Sequence, residues 1–305
     1  MFKFKKEQKI FDIGGVKVGG QPGEVPTVLI GSIFYIGHKI VTDDKKGIFD
    51  KAKAEELIKH QESWTDKTTN PTLLEVVGTT KESLINYIDF VADVTDRPFL
   101  ISSETMSIMM AATQHVGEIG IQNRVIYSSI FKGIPGEVLD VIKDSGIKAA
   151  IILSRNPLDE VDAVGRVTAL PDILRLSEKA GIDKPLIDVC VPGWEIGIGP
   201  ASRAIYLVKD EYGLPTGMGT GNVSTTFAWG KRELSRELRH ATWASMNAIE
   251  LVMGGNWLLY GPVEHADYII PSVAMTDTWI VTAMAELGIQ PAVEGVHPLF
   301  KLMEM

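Results

Sequence analysis

Eight short apolar runs recur along these 305 residues, alternating with segments whose apolar side chains fall at helical spacing. The runs are Thr27–Tyr35, Thr72–Val77, Pro98–Ser102, Val125–Ile130, Ala149–Ser154, Pro185–Val191, Leu214–Gly219 and Trp257–Tyr260. Helical spacing appears in Lys51–His60, Lys81–Val94, Ser107–Glu118, Glu137–Asp144, Leu170–Ala180, Pro200–Tyr212, Lys231–Met253 and Thr276–Leu287. Strands that alternate with helices are parallel strands joined by crossovers. These strands are almost continuously apolar, as expected when both faces are covered. With no linker, repeat or low-complexity break, the pattern fits a single (β/α)8 TIM barrel over residues 1–305 better than the alternative, an open doubly wound sheet. Ahead of it, Ile10–Gly19 alternates around Gly14 and Gly15 and reads as an N-terminal β-hairpin.

Composition narrows the partners. The net charge is −9, and no Lys/Arg-rich tract exists beyond Lys3, Lys5 and Lys6. An anionic surface repels nucleic acid and anionic lipid, which argues against both as main partners. Cys190 is the only cysteine, so this chain alone forms no intrachain disulfide and no multi-thiolate metal site. The six histidines show no metal-ligand spacing, and no metal is expected. His38 and His265 are the two that could reach a barrel mouth if their loops fold over it. The N-terminal segment lacks the continuous apolar stretch of a signal peptide, and no run approaches the roughly 18 residues of a membrane span. A cytoplasmic location is the expectation.

In either architecture the chemistry lies at the strand C-termini. Those ends carry Ser32, Glu75, Ser102–Ser103–Glu104, Ser128–Ser129, Ser154–Arg155–Asn156, Asp188 and Asn222–Ser224. The set is rich in carboxylates, amides and hydroxyls, with neither a histidine nor a cysteine nucleophile. It suits recognition of a heteroaromatic edge by directed hydrogen bonds. Asp188, after Leu186 and Ile187, faces a desolvation cost unless paired. It reads as a bidentate acceptor for adjacent N–H donors, or else as half of an internal ion pair with Arg155 or Lys184, or as a helix cap. Asn222 follows the glycine-rich run Gly217–Gly221 and reads as an amide that orients a substrate nitrogen, or as a turn residue. The glycines do not form G-x-G-x-x-G, so a nucleotide cradle is weakly supported. Met106–Met110 reads as core packing. Glu75 and Glu104 keep a two-carboxylate hydrolase open.

Several blocks carry a family resemblance over essentially the whole chain. They are GGQPGE (Gly19–Glu24), LIGSIFY (Leu29–Tyr35), HKIV (His38–Val41), KKGIFDKAKAEELI (Lys45–Ile58), NYIDFVADVTDRPFLI (Asn86–Ile101) and GTGNVS (Gly219–Ser224). On these the chain resembles the H-type subunit of the archaeal tetrahydromethanopterin S-methyltransferase and its homologues in methylotrophs, which move methyl groups between a corrinoid protein and a tetrahydropterin. The resemblance implies a pterin-binding barrel in which Asp188 matches a strand-six aspartate and Asn222 a strand-seven asparagine near N5. Ser102 and Ser128 stand where the wider superfamily has an aspartate and an asparagine. That leaves open a different pterin, a shifted pose with Glu104 substituting, or a binder that has lost some activity.

The implied activity is methyl transfer from a methyl-Co(III) corrinoid protein to N5 of tetrahydrofolate or tetrahydromethanopterin. Asp188 and Asn222 would be the catalytic pair. Ser102, Glu104, Ser128, Ser224, Glu75, Asn156 and Arg155 would complete the pocket. The chain lacks the D-x-H-x-x-G loop that resembling corrinoid carriers use, so the cobamide is expected on a separate protein docking over the mouth, with the chain as a homodimer. The alternative is a non-catalytic component that only docks the corrinoid protein.

Overall fold

The computed structural model describes residues 2–155, 162–193 and 197–303. Its centre is a closed barrel of eight parallel strands: β1 (Val28–Ile33), β2 (Thr72–Val77), β3 (Phe99–Ser102), β4 (Val125–Ile130), β5 (Ala149–Leu153), β6 (Lys184–Asp188), β7 (Thr216–Met218) and β8 (Trp257–Pro262). Closure is explicit in the register. Trp257 of β8 pairs with Val28 of β1, and Leu29 of β1 pairs with Thr72 of β2. The open-sheet alternative is thereby excluded.

Side-chain alternation along each strand separates two cores. One set points into the barrel: Val28, Ile30, Leu73, Leu100, Ile126, Ala149, Ile151, Leu186 and Trp257 form a continuous apolar floor. The other set, including Ile33, Leu74, Val76, Ile101, Tyr127 and Ile152, packs outward against the helices. Full burial of each such side chain contributes about 1.5–3 kcal/mol. One step further along the same alternation, the inward positions become Ser32, Glu75, Ser102, Ser128 and Asp188. The barrel therefore changes from a dry floor to a polar layer at its C-terminal mouth.

The N-terminal hairpin, Ile10–Ile13 paired with Val16–Gly19, stoppers the opposite end. Its turn uses Gly14 and Gly15 at φ 54° and 86°, a conformation that costs glycine little. Ile13 and Val18 join the barrel floor. A second small hairpin, Val41–Asp43 with Ile48–Phe49, follows β1 and has no counterpart among the sequence expectations.

Three helices differ from their expected bounds, the first by running on from Lys51 to Thr68 rather than ending at His60. The segment expected as Lys231–Met253 is broken: a short helix Ala228–Glu233 ends before Leu234, and Ser235 caps a new one, Arg236–Val252, by accepting a hydrogen bond from Leu238 N–H. The last long helix runs Ala266–Ala285, starting ten residues before the expected Thr276. Pro271 masked that start, since a proline inside a helix removes a hydrogen bond, yet here the helix continues through it. Among the described residues no helix is long and apolar enough to cross a membrane.

Candidate active site

The polar layer is built by strand ends, each fixed by the register. Ser102 of β3 pairs with Ser128 of β4, and Ser32 of β1 pairs with Glu75 of β2. Ser32 Oγ donates to Glu75 Oε2 at 2.6 Å, and the Ser102 hydroxyl faces the same carboxyl. Burial pushes the Glu75 carboxyl above its ordinary range, and the two hydroxyls pull it part of the way back.

Asp188 ends β6. Its side chain is only half-buried, but it opens into the lumen and is ringed by protein, so it is poorly hydrated. Desolvation lifts its carboxyl to about 7; the Cys190 N–H opposes the rise, Glu75 adds to it, and Arg166 opposes it. The Cys190 N–H donates to Asp188 Oδ1 at 2.7 Å. To aim that N–H backward, Cys190 takes φ 56°, an uncommon conformation for a residue with a side chain. Its carbonyl accepts from Arg166 Nε at 3.2 Å. The ion-pair alternatives raised for Asp188 are not those found. Lys184 Nζ bonds the carbonyl of Asp12 at the far end of the strand, Arg155 is exposed, and Arg166 supplies the nearby positive charge.

Asn222 is exposed at the mouth as the second residue of a short helix, Gly221–Thr226, that begins just after β7. Its Nδ2 donates to the Val191 carbonyl at 3.2 Å, which joins the ends of β6 and β7. Behind it, Thr220 Oγ1 donates to Asn247 Oδ1 at 2.8 Å, and Asn247 Nδ2 donates to the Trp243 carbonyl at 2.7 Å. Gly221 sits so near β8 that an added Cβ would lie 2.7 Å from Gly261 Cα. The glycines of this run thus permit close packing of the loop that presents Asn222.

The other expected residues divide. Ser102, Ser128 and Glu75 point into the lumen with Asp188. Glu104 and Arg155 are exposed on the loops of the mouth, outside the polar layer. Ser224 is buried and its hydroxyl donates to the Gly221 carbonyl at 2.8 Å. Its side chain is therefore spent on its own helix rather than on the mouth, a departure from the expected pocket role. Asn156 lies outside the described residues.

The two rim histidines are engaged elsewhere. His38 Nδ1 accepts from the Phe34 N–H at 3.0 Å, which leaves Nε2 protonated and facing Glu264 Oε1 at 3.0 Å. His265 is pushed down to about 4 by burial and lies against Trp243 and Tyr268, each ring centroid 5.2 Å away.

Several supporting groups escaped the sequence. Arg166, Asn247 and Glu250 are fully or almost fully buried. Burial holds the Glu250 carboxyl well above its ordinary value, Met218 N–H opposes this, and Asp188 reinforces it. The available signal was a lone charge within an apolar stretch, as in Ala163–Val167 and Ala248–Val252.

A cavity of about 350 Å³ lies at the other end of the molecule, lined by Val16, Val25, Pro26, Pro71 and Val293 among others. Its apolar wall sits beside the hairpin, away from the carboxyl-bearing strand ends. An apolar lining is the case for that cavity as a ligand site, but convergent polar groups with shifted acidity decide for the mouth.

The family model for the tetrahydromethanopterin S-methyltransferase MtrH subunit matches residues 6–292. The H-type subunit of that enzyme from Methanocaldococcus jannaschii is 42% identical, covering 99% of this chain and 100% of its own. Its counterpart from Methanothermobacter thermautotrophicus is 40% identical with the same coverage. Among solved structures, Xanthomonas albilineans dihydropteroate synthase in complex with 7,8-dihydropteroate superposes with a TM-score of 0.61 at 17% identity, covering 92% of this chain and 99% of that one. A Yersinia pestis dihydropteroate synthase in complex with a sulfonamide drug gives 0.60 at 13% identity, covering 91% and 100%. The structural likeness establishes the barrel fold alone, whereas the full-length sequence match identifies the chain as a member of the MtrH family of tetrahydromethanopterin S-methyltransferase subunits.

Proposed function

We propose that this methyltransferase-family chain moves a methyl group from a methyl-Co(III) corrinoid protein to N5 of a tetrahydropterin, tetrahydromethanopterin or tetrahydrofolate. One observation carries the reading most: a lumenal, poorly hydrated carboxyl, Asp188, lies three residues before the carbonyl, Val191, that accepts from the Asn222 amide. In the reaction the N5 lone pair forms the new carbon–nitrogen bond, the cobalt–carbon bond breaks with both electrons staying on cobalt, and the N5 proton leaves to solvent.

The residues present fit the pterin. A carboxylate offers about four acceptor sites, and Cys190 N–H occupies one on Asp188. The remainder can take the adjacent N3–H and 2-amino donors of a pyrimidine edge through charge-assisted bonds. Asn222 would address N5, with Ser102, Ser128 and Glu75 around the ring and Glu104 and Arg155 on the rim. Orientation is the main contribution such a site can make, worth roughly 7–11 kcal/mol in the best cases.

The cobamide would arrive on a separate protein that docks over the mouth. The same reading makes the chain a cytoplasmic homodimer. Exposed Ile249, Val252, Met275 and Trp279 on the helices Arg236–Val252 and Ala266–Ala285 support self-association, because a chain of net charge −9 pairs with itself most easily through uncharged surface.

The test mixes this protein, a methylated corrinoid carrier and each tetrahydropterin in turn, and follows the absorbance of Co(I). Transfer with one or both is expected. Failure with tetrahydrofolate and tetrahydromethanopterin alike would overturn the assignment.

A further inference from the structure

Asp188 stands in a closed circuit of hydrogen bonds that begins and ends on its own atoms. The Ser154 N–H, just past β5, donates to the Asp188 carbonyl at 2.8 Å. The Ser154 hydroxyl donates to the carbonyl of Arg166 on the helix Ala163–Thr168. The Arg166 side chain turns back, and its Nε donates to the Cys190 carbonyl at 3.2 Å. The Cys190 N–H then closes the circuit on Asp188 Oδ1 at 2.7 Å. Ser154 and Arg166 are both buried, so water competes little for these bonds.

The circuit has one strained link. Cys190 stands at φ 56°, where a side chain crowds its own backbone and glycine alone sits freely. It is held from two sides, its N–H on Asp188 and its carbonyl on Arg166. The second hold is stiff, because Arg166 Nη2 also donates to the Gly197 carbonyl at 3.3 Å, just before the helix Ile198–Tyr212. A planar fork that grips two backbone carbonyls at once resists rotation. We propose that Arg166 is a positioning residue: by gripping the Cys190 carbonyl it holds the left-handed turn that keeps one donor on Asp188 Oδ1 and leaves the rest of the carboxylate to the pyrimidine edge. This rests on the pterin reading given above.

The hold also bears on charge. Among the described residues, the ionisable groups whose fields meet that of Asp188 are Glu75 from β2, Glu250 from the helix Arg236–Val252, and Arg166. Glu75 opposes ionisation of Asp188, whereas Arg166 and the Cys190 N–H favour it. Loss of the grip removes one favourable influence directly, and the other follows as Cys190 relaxes. Only the ionised carboxyl accepts two N–H donors, so the loss is read in the pH at which pterin binds. General damage to the pocket would instead weaken binding equally at every pH.

Anaerobic calorimetry on the full chain tests this, with tetrahydromethanopterin and tetrahydrofolate in turn between pH 6 and pH 9. Wild-type affinity should level off above about pH 7. In Arg166→Met that break should move up by about one pH unit. Binding should then be about fivefold weaker at pH 7 yet within about twofold of wild type at pH 9. Adding Cys190→Gly should bring the break roughly half of the way back, because glycine keeps the left-handed conformation without a grip. Should Arg166→Met fold poorly, Cys190→Val attacks the same link with Arg166 intact. A β-branched residue resists positive φ, so the break should move the same way. An unmoved break in the folded variant overturns the proposal, as does a loss equal at every pH. So does a shift that Cys190→Gly fails to reverse, which would leave Arg166 acting by its field alone. Asp188→Asn keeps failure of the underlying reading apart: if it leaves pterin affinity unchanged, the pterin site itself has been misplaced.

Discussion

The side-chain amide of Asn222 donates to the carbonyl of Val191 at 3.2 Å, so the ends of β6 and β7 are fastened together at the mouth. Asp188 lies three residues before that carbonyl. The group that would grip the pyrimidine edge and the group that would address N5 therefore keep a fixed separation. Replacing Asn222 with Ala should leave pterin affinity within a few-fold of wild type, because Asp188 remains. The rate of methyl transfer should fall on the order of 100-fold, as when one preorganised polar contact to a reacting centre is removed. Single-turnover formation of Co(I) alongside calorimetric affinity separates the two effects.

Asp188 makes pterin binding depend on pH. Its carboxyl sits at about 7, raised first by desolvation, and only the ionised form accepts two N–H donors. Below pH 7 the free protein must lose a proton to bind, so affinity should fall by about tenfold per pH unit. Above pH 7 affinity should level off. Proton release, seen as buffer-dependent binding enthalpy, should appear on the acid side. Asp188→Asn should bind weakly and without that slope. A slope that persists in Asp188→Asn would assign the titration to another group.

The Asn222 loop has its own brace. Thr220 Oγ1 donates to Asn247 Oδ1 at 2.8 Å, and both residues are buried. Asn247→Ala leaves the Thr220 hydroxyl only the longer bond to the Leu259 carbonyl at 3.4 Å, at a cost of about 1 kcal/mol. It should also loosen the loop, lowering kcat for transfer several-fold while KM for the pterin changes little. Thr220→Ser retains the donor and should preserve the rate, whereas Thr220→Val should behave like Asn247→Ala. Equal changes in kcat and KM would mark a general loss of structure instead.

The barrel was legible because its strands are nearly unbroken apolar runs set off by helical spacing, and hydrophobic periodicity is a strong local signal. Asp188 and Asn222 were legible for the same reason, as polar residues just past such runs. Asp188's neighbours were not. Arg166 acts on its charge from a short helix, Ala163–Thr168, and Glu250 shares its field from the helix Arg236–Val252, influences between distant segments that no local pattern encodes. The bond from the Ser224 hydroxyl to Gly221 was not legible, because position after a strand does not reveal which way a side chain turns once the chain enters a helix. Ser102 first reads as a missing carboxylate. In the fold its hydroxyl faces the carboxyl of Glu75 on the neighbouring strand, a relationship across strands that only register discloses.

A last prediction concerns the base of the barrel. Asp277, buried on the helix Ala266–Ala285, accepts from Thr27 N–H at 2.9 Å, Thr27 Oγ1 at 2.7 Å and Asn70 Nδ2 at 2.7 Å. It thereby pins the entry to β1 and the loop before β2 to the final long helix. Asp277→Ala leaves those donors buried without an acceptor and should cost about 3 kcal/mol. Desolvation raises the Asp277 carboxyl from 3.8 to about 6 in spite of the three donors. The folded protein therefore binds a proton more readily than the unfolded chain between those values. That contribution to stability is complete below pH 3.8 and is lost as pH rises through 6. Asp277→Ala lacks it, so the gap in melting temperature between wild type and variant should widen as pH falls from 7.5 to 5. Thermal unfolding at the two pH values decides the matter, and a gap that stays constant down to pH 5 would mean that the three donors hold this carboxylate ionised throughout.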